Sequence, residues 1–225
     1  LETRIQEACS KDHNEPVPLS VSVGYAIKEE KRRTIEEFLK ITEERMYRKK
    51  LDEGPLNRQK TLDYLEKVLE KISRENGKQI EDLNSLSKAF ANELGLTDHE
   101  QDQLNLLVRF HDLGKITIPQ DIIDKYTELT SEEWESIKKH SEIGYRIANS
   151  SPELAPIAES ILAHHERWDG RGYPQNLEGE KIPLLARILA IVEAYDVMRR
   201  GSRYKLPLTE EQAYQEIKTQ SGNQF

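Results

Sequence analysis

The stretch Val108-Arg-Phe-His-Asp-Leu-Gly-Lys115 constrains this chain more than any other. Leu104, Leu107 and Val108 form an apolar stripe at helical spacing, which carries His111 onto the buried face of a helix with Asp112 beside it. Gly114 is the expected stop two residues later. An imidazole and a carboxylate therefore meet at a helix end. Together they offer one borderline nitrogen and one hard oxygen donor, a set that suits a divalent transition metal. A lone His-Asp pair also serves to satisfy a core histidine, so the rest of the chain has to decide between the two.

The other histidines favour the metal. His140 follows on a helical segment, and then the doublet His164-His165 runs into Glu166-Arg-Trp-Asp-Gly-Arg-Gly-Tyr-Pro174. Four of the six histidines thus fall on apolar helix faces or at helix ends, whereas His13 and His99 lie in polar stretches. Buried imidazoles in that number need partners.

Composition excludes several functional classes. At 225 residues the chain has room for one large or two small domains. No apolar run approaches the roughly 18 residues of a membrane span, and no signal peptide opens the sequence. A formal charge of −8 argues against a general binder of nucleic-acid polymers, because that affinity rests on clustered Lys and Arg. A small anionic ligand held by a metal and a few arginines is compatible with it. The single cysteine, Cys9, rules out an internal disulfide and fits a reducing compartment, so the expected location is the cytoplasm.

Two segments differ in pattern. In residues 1–58, Val17 to Ile27 alternates apolar and small residues and predicts a strand. Thr34 to Leu51 predicts a helix that ends at Gly54-Pro55. From Gln59 onward the pattern is helical throughout. Leu62, Leu65, Val68, Leu69 and Ile72 form one stripe, and after Asn76-Gly77 a second runs through Ile80, Leu83, Leu86, Phe90 and Leu94. Capping boxes are read at Thr97/Glu100, Thr130/Glu133 and Thr209/Gln212. The Thr130 helix is expected to carry Ile137, His140, Gly144 and Ile147 on one face. Pro152 is expected to start the next helix, and Pro183 one that runs through Tyr195. The reading is mainly α: an all-helical domain of about seven helices at 59–225, after a short α/β fragment.

Two resemblances sharpen this. Ser20-Val-Ser-Val-Gly-Tyr-Ala26 with the later Ile41-Thr-Glu-Glu-Arg-Met-Tyr-Arg-Lys-Lys50 resembles the last third of a GGDEF domain, the family that makes cyclic di-GMP from GTP. The signature glycine and acidic residues of that family are absent, so residues 1–58 read as a C-terminal fragment without its activity. The second resemblance rests on His111-Asp-Leu-Gly-Lys115, Lys139-His140 and His164-His165 through Tyr173-Pro174. These separated motifs, in this order, resemble an HD-GYP domain, an HD-type metal-dependent phosphodiesterase that hydrolyses cyclic di-GMP.

The resemblance implies a site. One metal would be held by Asp112, His140, His164 and His165, a complete set. The other would take His111 and Asp112 with an upstream histidine and a late aspartate, and there the chain carries Gln79 and Glu193. Asp196, one helical turn beyond Glu193, is a substitute to consider. Lys115 resembles the family lysine that assists the leaving oxygen or the phosphate, so Lys115 and Asp112 are the expected catalytic pair. Arg171 and Tyr173 would line the mouth, with Arg203 and Lys205 near the phosphate or base. Trp134 and Trp168 are read as core or rim packing rather than base-stacking platforms. The ion would be iron, manganese, zinc or nickel, one or two per chain, since nitrogen-rich ligand sets admit all four.

The function expected is hydrolysis of cyclic di-GMP in bacterial signalling, giving the linear dinucleotide or GMP, with a homodimer left open. The rival is a degenerate module that binds nucleotide or a partner with little or no turnover. A third reading is a metallohydrolase for another phosphoester, against which the Gly-Tyr-Pro loop tells.

Overall fold

A computed structural model describes residues 4–5, 35–72, 77–125, 127–201 and 206–225. Among these residues there is no strand, and one isolated antiparallel bridge joins Asp169 to Glu178. The strand expected at 17–27 lies outside the described residues, as does Cys9. None of the described helices is long and apolar enough to cross a membrane.

The chain divides into two compact units, Leu1–Lys67 and Val68–Phe225. Most of what is described in the first belongs to helix α1, Ile35–Ile72, whose last turns fall in the second. The stop expected at Gly54-Pro55 is not there, because α1 runs through it. A proline inside a helix costs about 3 kcal/mol through one lost hydrogen bond and a clash. The long helix-forming runs on either side outweigh that local cost. Leu62, Leu65 and Leu69 of the expected stripe are buried.

The second unit continues with α2 (Gly77–Glu93), α3 (Asp98–Phe110), a 3-10 turn (Leu113–Thr117), α4 (Gln120–Ile123), α5 (Ser131–Lys138) and α6 (His140–Ser150). After these come α7 (Ala158–Ala163), α8 (Leu184–Arg200) and α9 (Glu210–Thr219). All three capping boxes form. The Thr97 hydroxyl accepts from the Glu100 N–H at 3.3 Å while the Glu100 carboxylate accepts from the Thr97 N–H at 2.8 Å, and Thr130/Glu133 and Thr209/Gln212 repeat the exchange. Each satisfies two N–H groups that a helix start would otherwise leave open.

Three boundaries differ from expectation. The helix opened by Thr130 does not continue past His140 unbroken: α5 ends at Lys138 and α6 begins at His140. At the break the Ile137 carbonyl accepts from the His140 ring. Pro152 lies in a turn rather than a helix start, and a 3-10 turn at Ala155–Ile157 leads into α7. Helix α8 runs past Tyr195 to Arg200, where Gly201 caps it at φ 74°, a left-handed conformation that glycine adopts without strain.

Helix α8 is central, packing against α2, α3, α7 and α9. It buries Leu185, Ala186, Ile188, Leu189 and Val192. Together with Phe110, Leu107, Leu113, Leu154, Ile157 and Ile161 these residues form the core that surrounds the histidines. Burying each such side chain contributes about 1.5–3 kcal/mol. Helix α6 packs on α7 and on the 3-10 turn after α3. That approach depends on Gly114, where a Cβ would stand 1.9 Å from the His140 carbonyl oxygen and 2.7 Å from the Gly144 nitrogen.

Candidate metal centre

Helix ends deliver three of the histidines. His111 caps the C-terminus of α3, His164 caps that of α7, and His140 follows directly on the end of α5. Carbonyls in the last turn of a helix have no partner within it. Each of these imidazoles takes one three residues back. The Nδ1–H of His111 donates to Val108 at 2.9 Å, that of His140 to Ile137 at 2.5 Å, and that of His164 to Ile161 at 2.5 Å. A carbonyl only accepts, so each Nδ1 carries a proton, and in His140 and His164, whose burial disfavours a second one, Nε2 presents a lone pair.

Those lone pairs converge. The His140 Nε2 lies 3.2 Å from the Nε2 of His164 and 3.2 Å from that of His165. The lone pairs of His140 and His164 repel at that distance, and a cation relieves them while taking His165 as a third donor. Two nitrogens each about 2.0–2.1 Å from one tetrahedral ion stand ~3.4 Å apart, close to the spacing observed. The donor set of His140, His164 and His165 therefore fits a divalent metal, all its ligand atoms lying within 4.8 Å of one another.

Asp112 sits between this cluster and His111. Its Oδ1 is 3.5 Å from the His140 Nε2, while its Oδ2 is 3.6 Å from the His111 Nε2 and pairs with the Lys115 ammonium. Burial pushes the Asp112 carboxyl up, but Lys115 and then the histidines outweigh it and hold it far below the usual carboxylate range. The imidazoles move the other way. Burial, with His111 adding to it, lowers His164 to about 4. Burial also lowers His140, against the pull of Asp112. Burial and the neighbouring His164 and His140 press His165 well below the usual range. Near neutral pH the rings are thus neutral and the carboxylate charged, the protonation state that metal ligation requires.

The second expected set is placed differently. Glu193 reaches in from α8 with its Oε1 3.0 Å from the His111 Nε2. Burial raises its carboxyl, and His111 more than offsets this to leave it lowered. Asp196 is turned toward Arg200, whose Nε donates to its Oδ1 at 2.7 Å. The same guanidinium reaches Asp82 at 3.3 Å and the backbone carbonyl of Gln79 at 3.5 Å. Asp196 is thereby held in an ion pair with Arg200.

The loop after His165 folds back over it. Tyr173 stacks on the His165 ring at 4.8 Å between centroids and 29°, and the Tyr173-Pro174 peptide is cis. Burial, with Asp112 and Glu193 nearby, pushes the Tyr173 phenol up. Gly172 is needed there because a Cβ would lie 2.4 Å from the Glu166 Cα. Glu166, itself buried, accepts the N–H groups of Gln175 at 2.6 Å and Leu177 at 3.0 Å and so pins the loop. Arg171 is exposed, and its N–H donates to Asp169. Arg203 and Lys205 lie outside the described residues.

Glu166 and Arg200 are the functional neighbours that sequence reasoning passed over. Glu166 stands inside a quoted motif, and a carboxylate between two histidines and a glycine-rich loop was a usable signal. For Arg200 the i,i+4 spacing from Asp196 was a local signal, whereas its reach to Asp82 and Gln79 on α2 had none.

The HD domain family matches residues 63–225. The 3'3'-cGAMP-specific phosphodiesterase 2 of Vibrio cholerae is 37% identical over 163 residues, 72% of this chain and 31% of that protein. A cyclic di-GMP phosphodiesterase of Thermotoga maritima is 37% identical over 166 residues, 73% of this chain and 45% of that one. The chain spans less than half the length of these relatives. In fold it resembles an HDG"Y"P protein of Bdellovibrio bacteriovorus, with a TM-score of 0.53 and 17% identity over 99% of this chain and 73% of the other. A cyclic GMP-AMP specific phosphodiesterase of Vibrio cholerae gives 0.56 and 19%, over 72% of this chain and 44% of that one. With well over half of its length matched, the chain belongs to the HD domain family.

Proposed function

We propose that this chain is a metal-dependent phosphodiesterase of the HD-GYP type, which opens cyclic di-GMP by hydrolysis to the linear dinucleotide or GMP. The observation that carries the reading is the convergence of the Nε2 atoms of His140, His164 and His165 beside a charged Asp112. Relatives at 37% identity are named phosphodiesterases of cyclic dinucleotides, which supports the substrate class.

His140, His164, His165 and Asp112 would hold one divalent ion, and His111 with Glu193 would contribute to a second. A bound metal supplies acidified water and neutralises phosphoryl oxygens. Iron, manganese, zinc and nickel all suit the nitrogen-rich set. Asp112, between His140 and His111, would help to hold either ion. The Lys115 ammonium, drawn in by Asp112, would meet a phosphate oxygen and favour the charge that grows on the departing oxygen. Tyr173 and Arg171 would border the mouth, and Arg203 and Lys205 would serve phosphate or base. In this reading residues 59–225 form the HD-GYP domain and residues 1–58 end a GGDEF-like one.

A second reading, a nucleotide-binding module with little turnover, is favoured by one feature: Asp196 is bound to Arg200, which leaves Glu193 as the only carboxylate on α8 that contacts His111 among the described residues.

The test is metal analysis of anaerobically purified protein together with cyclic di-GMP hydrolysis. His164→Ala and His165→Ala should each lower metal content and turnover while helical circular dichroism stays largely in place. Unchanged metal in both variants would return these histidines to core packing.

A further inference from the structure

The geometry points to Trp134 as the stacking platform for a purine base of the cyclic dinucleotide, an assignment that rests on the proposed function and deepens it. Sequence reasoning placed this indole in core or rim packing. The structure leaves it 46% exposed, on a helix, α5, that has no buried residue at all. About half of the indole surface is therefore open to solvent. Trp134 stands at the outer end of a series of rings that starts in the histidine cluster. His165, one of the converging donors, is stacked by Tyr173 at 4.8 Å, and Tyr173 meets Trp134 edge to face at 6.5 Å and 75°.

Those two steps place the indole within about 11 Å of the His165 ring, the most that separations of 4.8 and 6.5 Å can span. In a nucleotide the base lies one sugar ring from its phosphate. A phosphodiester held over His140, His164 and His165 thus brings a base into the neighbourhood of Trp134. Indole offers a large π surface with little rotamer entropy to lose, and base stacking on an aromatic ring is tolerant of which base is presented. Trp134 would then strengthen binding of purine cyclic dinucleotides as a class, without choosing between guanine and adenine. Division of labour follows: the histidines and Lys115 take the phosphate, and Trp134 takes the base.

The experiment uses metal-loaded protein. Trp134→Ala should weaken cyclic di-GMP binding by roughly five- to a hundredfold, the range for loss of one stacked base. The rise should appear in KM rather than kcat. Trp134→Phe should recover most of the affinity, because a π face remains. In a Trp168→Phe variant the fluorescence of Trp134 should be quenched saturably by cyclic di-GMP. Native affinity in Trp134→Ala, a Phe variant as weak as the Ala variant, or no quenching would each overturn the inference. Hydrolysis of bis(p-nitrophenyl) phosphate, which has no purine, reports on the histidine centre alone. If the native protein neither cleaves it nor binds cyclic di-GMP, the proposed function falls and this inference with it. If it cleaves the simple ester while Trp134→Ala leaves cyclic di-GMP affinity untouched, only the inference falls.

Discussion

The Nε2 of His111 stands 3.0 Å from the Oε1 of Glu193, nearer than to the carboxylate of its own neighbour Asp112 at 3.6 Å. Because the Nδ1–H is given to Val108, that nitrogen and that oxygen face each other with lone pairs. A second proton on the ring or a shared cation must lie between them. Glutamate is one methylene longer than aspartate, so its oxygens fall elsewhere than those of the expected aspartate, and Gln79 supplies no imidazole.

Restoring both ligands should therefore complete the second ion site. Gln79→His with Glu193→Asp is expected to raise bound metal toward two per chain and to raise cyclic di-GMP hydrolysis by about ten- to a hundredfold, since misplacement by an angstrom can cost 10²-fold. Metal per chain and turnover are the readouts. Two ions in the native protein, with nothing gained by the double change, would show that Glu193 already serves.

Lys115→Ala should impair turnover more than affinity. The ammonium, on a side chain 29% exposed and paired with Asp112, gains most as negative charge develops on the leaving oxygen, so kcat should fall by about 10²–10³ while the Kd for cyclic di-GMP moves little. Metal content has to be measured in parallel, because a collapsed centre loses both. A variant that keeps its metal, its affinity and its rate would make Lys115 a solvated loop residue.

Gly114→Ala tests how tightly the scaffold sets the site. Its Cβ would collide with backbone rather than with a flexible side chain, 1.9 Å from the His140 carbonyl oxygen. The 3-10 turn and α6 would have to separate, at a cost of about 3 kcal/mol or more. Because His140 and Asp112 sit on either side of that contact, metal should be lost along with thermal stability. Ala at this position with native Tm and metal content would contradict the packing described.

Acid should destabilise the metal-free protein through the buried rings. Folding lowers His164 from 6.5 to about 4, so between those values the unfolded chain binds a proton that the folded chain refuses. The stability is complete above about pH 6.5 and is lost as pH falls toward 4, on the order of 3 kcal/mol for this group. His140 and His165, also lowered, act in the same direction. Tm of chelated protein measured from pH 7 to pH 4 should drop, and less so in His164→Ala. A flat profile would mean that the cluster is not buried neutral.

What the sequence determined by itself was whatever a few neighbouring residues decide. The three capping boxes formed because each is an exchange of hydrogen bonds within one turn. The apolar stripes predicted an all-helical domain, and the motifs His111-Asp112, His140 and His164-His165 singled out the side chains that the fold gathers. Local signals also misled. Gly54-Pro55 reads as a stop, yet α1 runs on through it, and the helix opened by Thr130 breaks at Lys139.

Tertiary structure alone decided which donors meet. The 3.2 Å spacings among His140, His164 and His165 depend on α6 packing against α7 and the 3-10 turn, across more than twenty residues of chain. The reach of Arg200 to Asp82, the hold of Glu166 on the Gly-Tyr-Pro loop and the exposure of Trp134 beside Tyr173 arise the same way. Helix propensity and capping act within about four residues, whereas ligand distances are set by how close two backbones can come, and at Gly114 that closeness is settled by one absent Cβ.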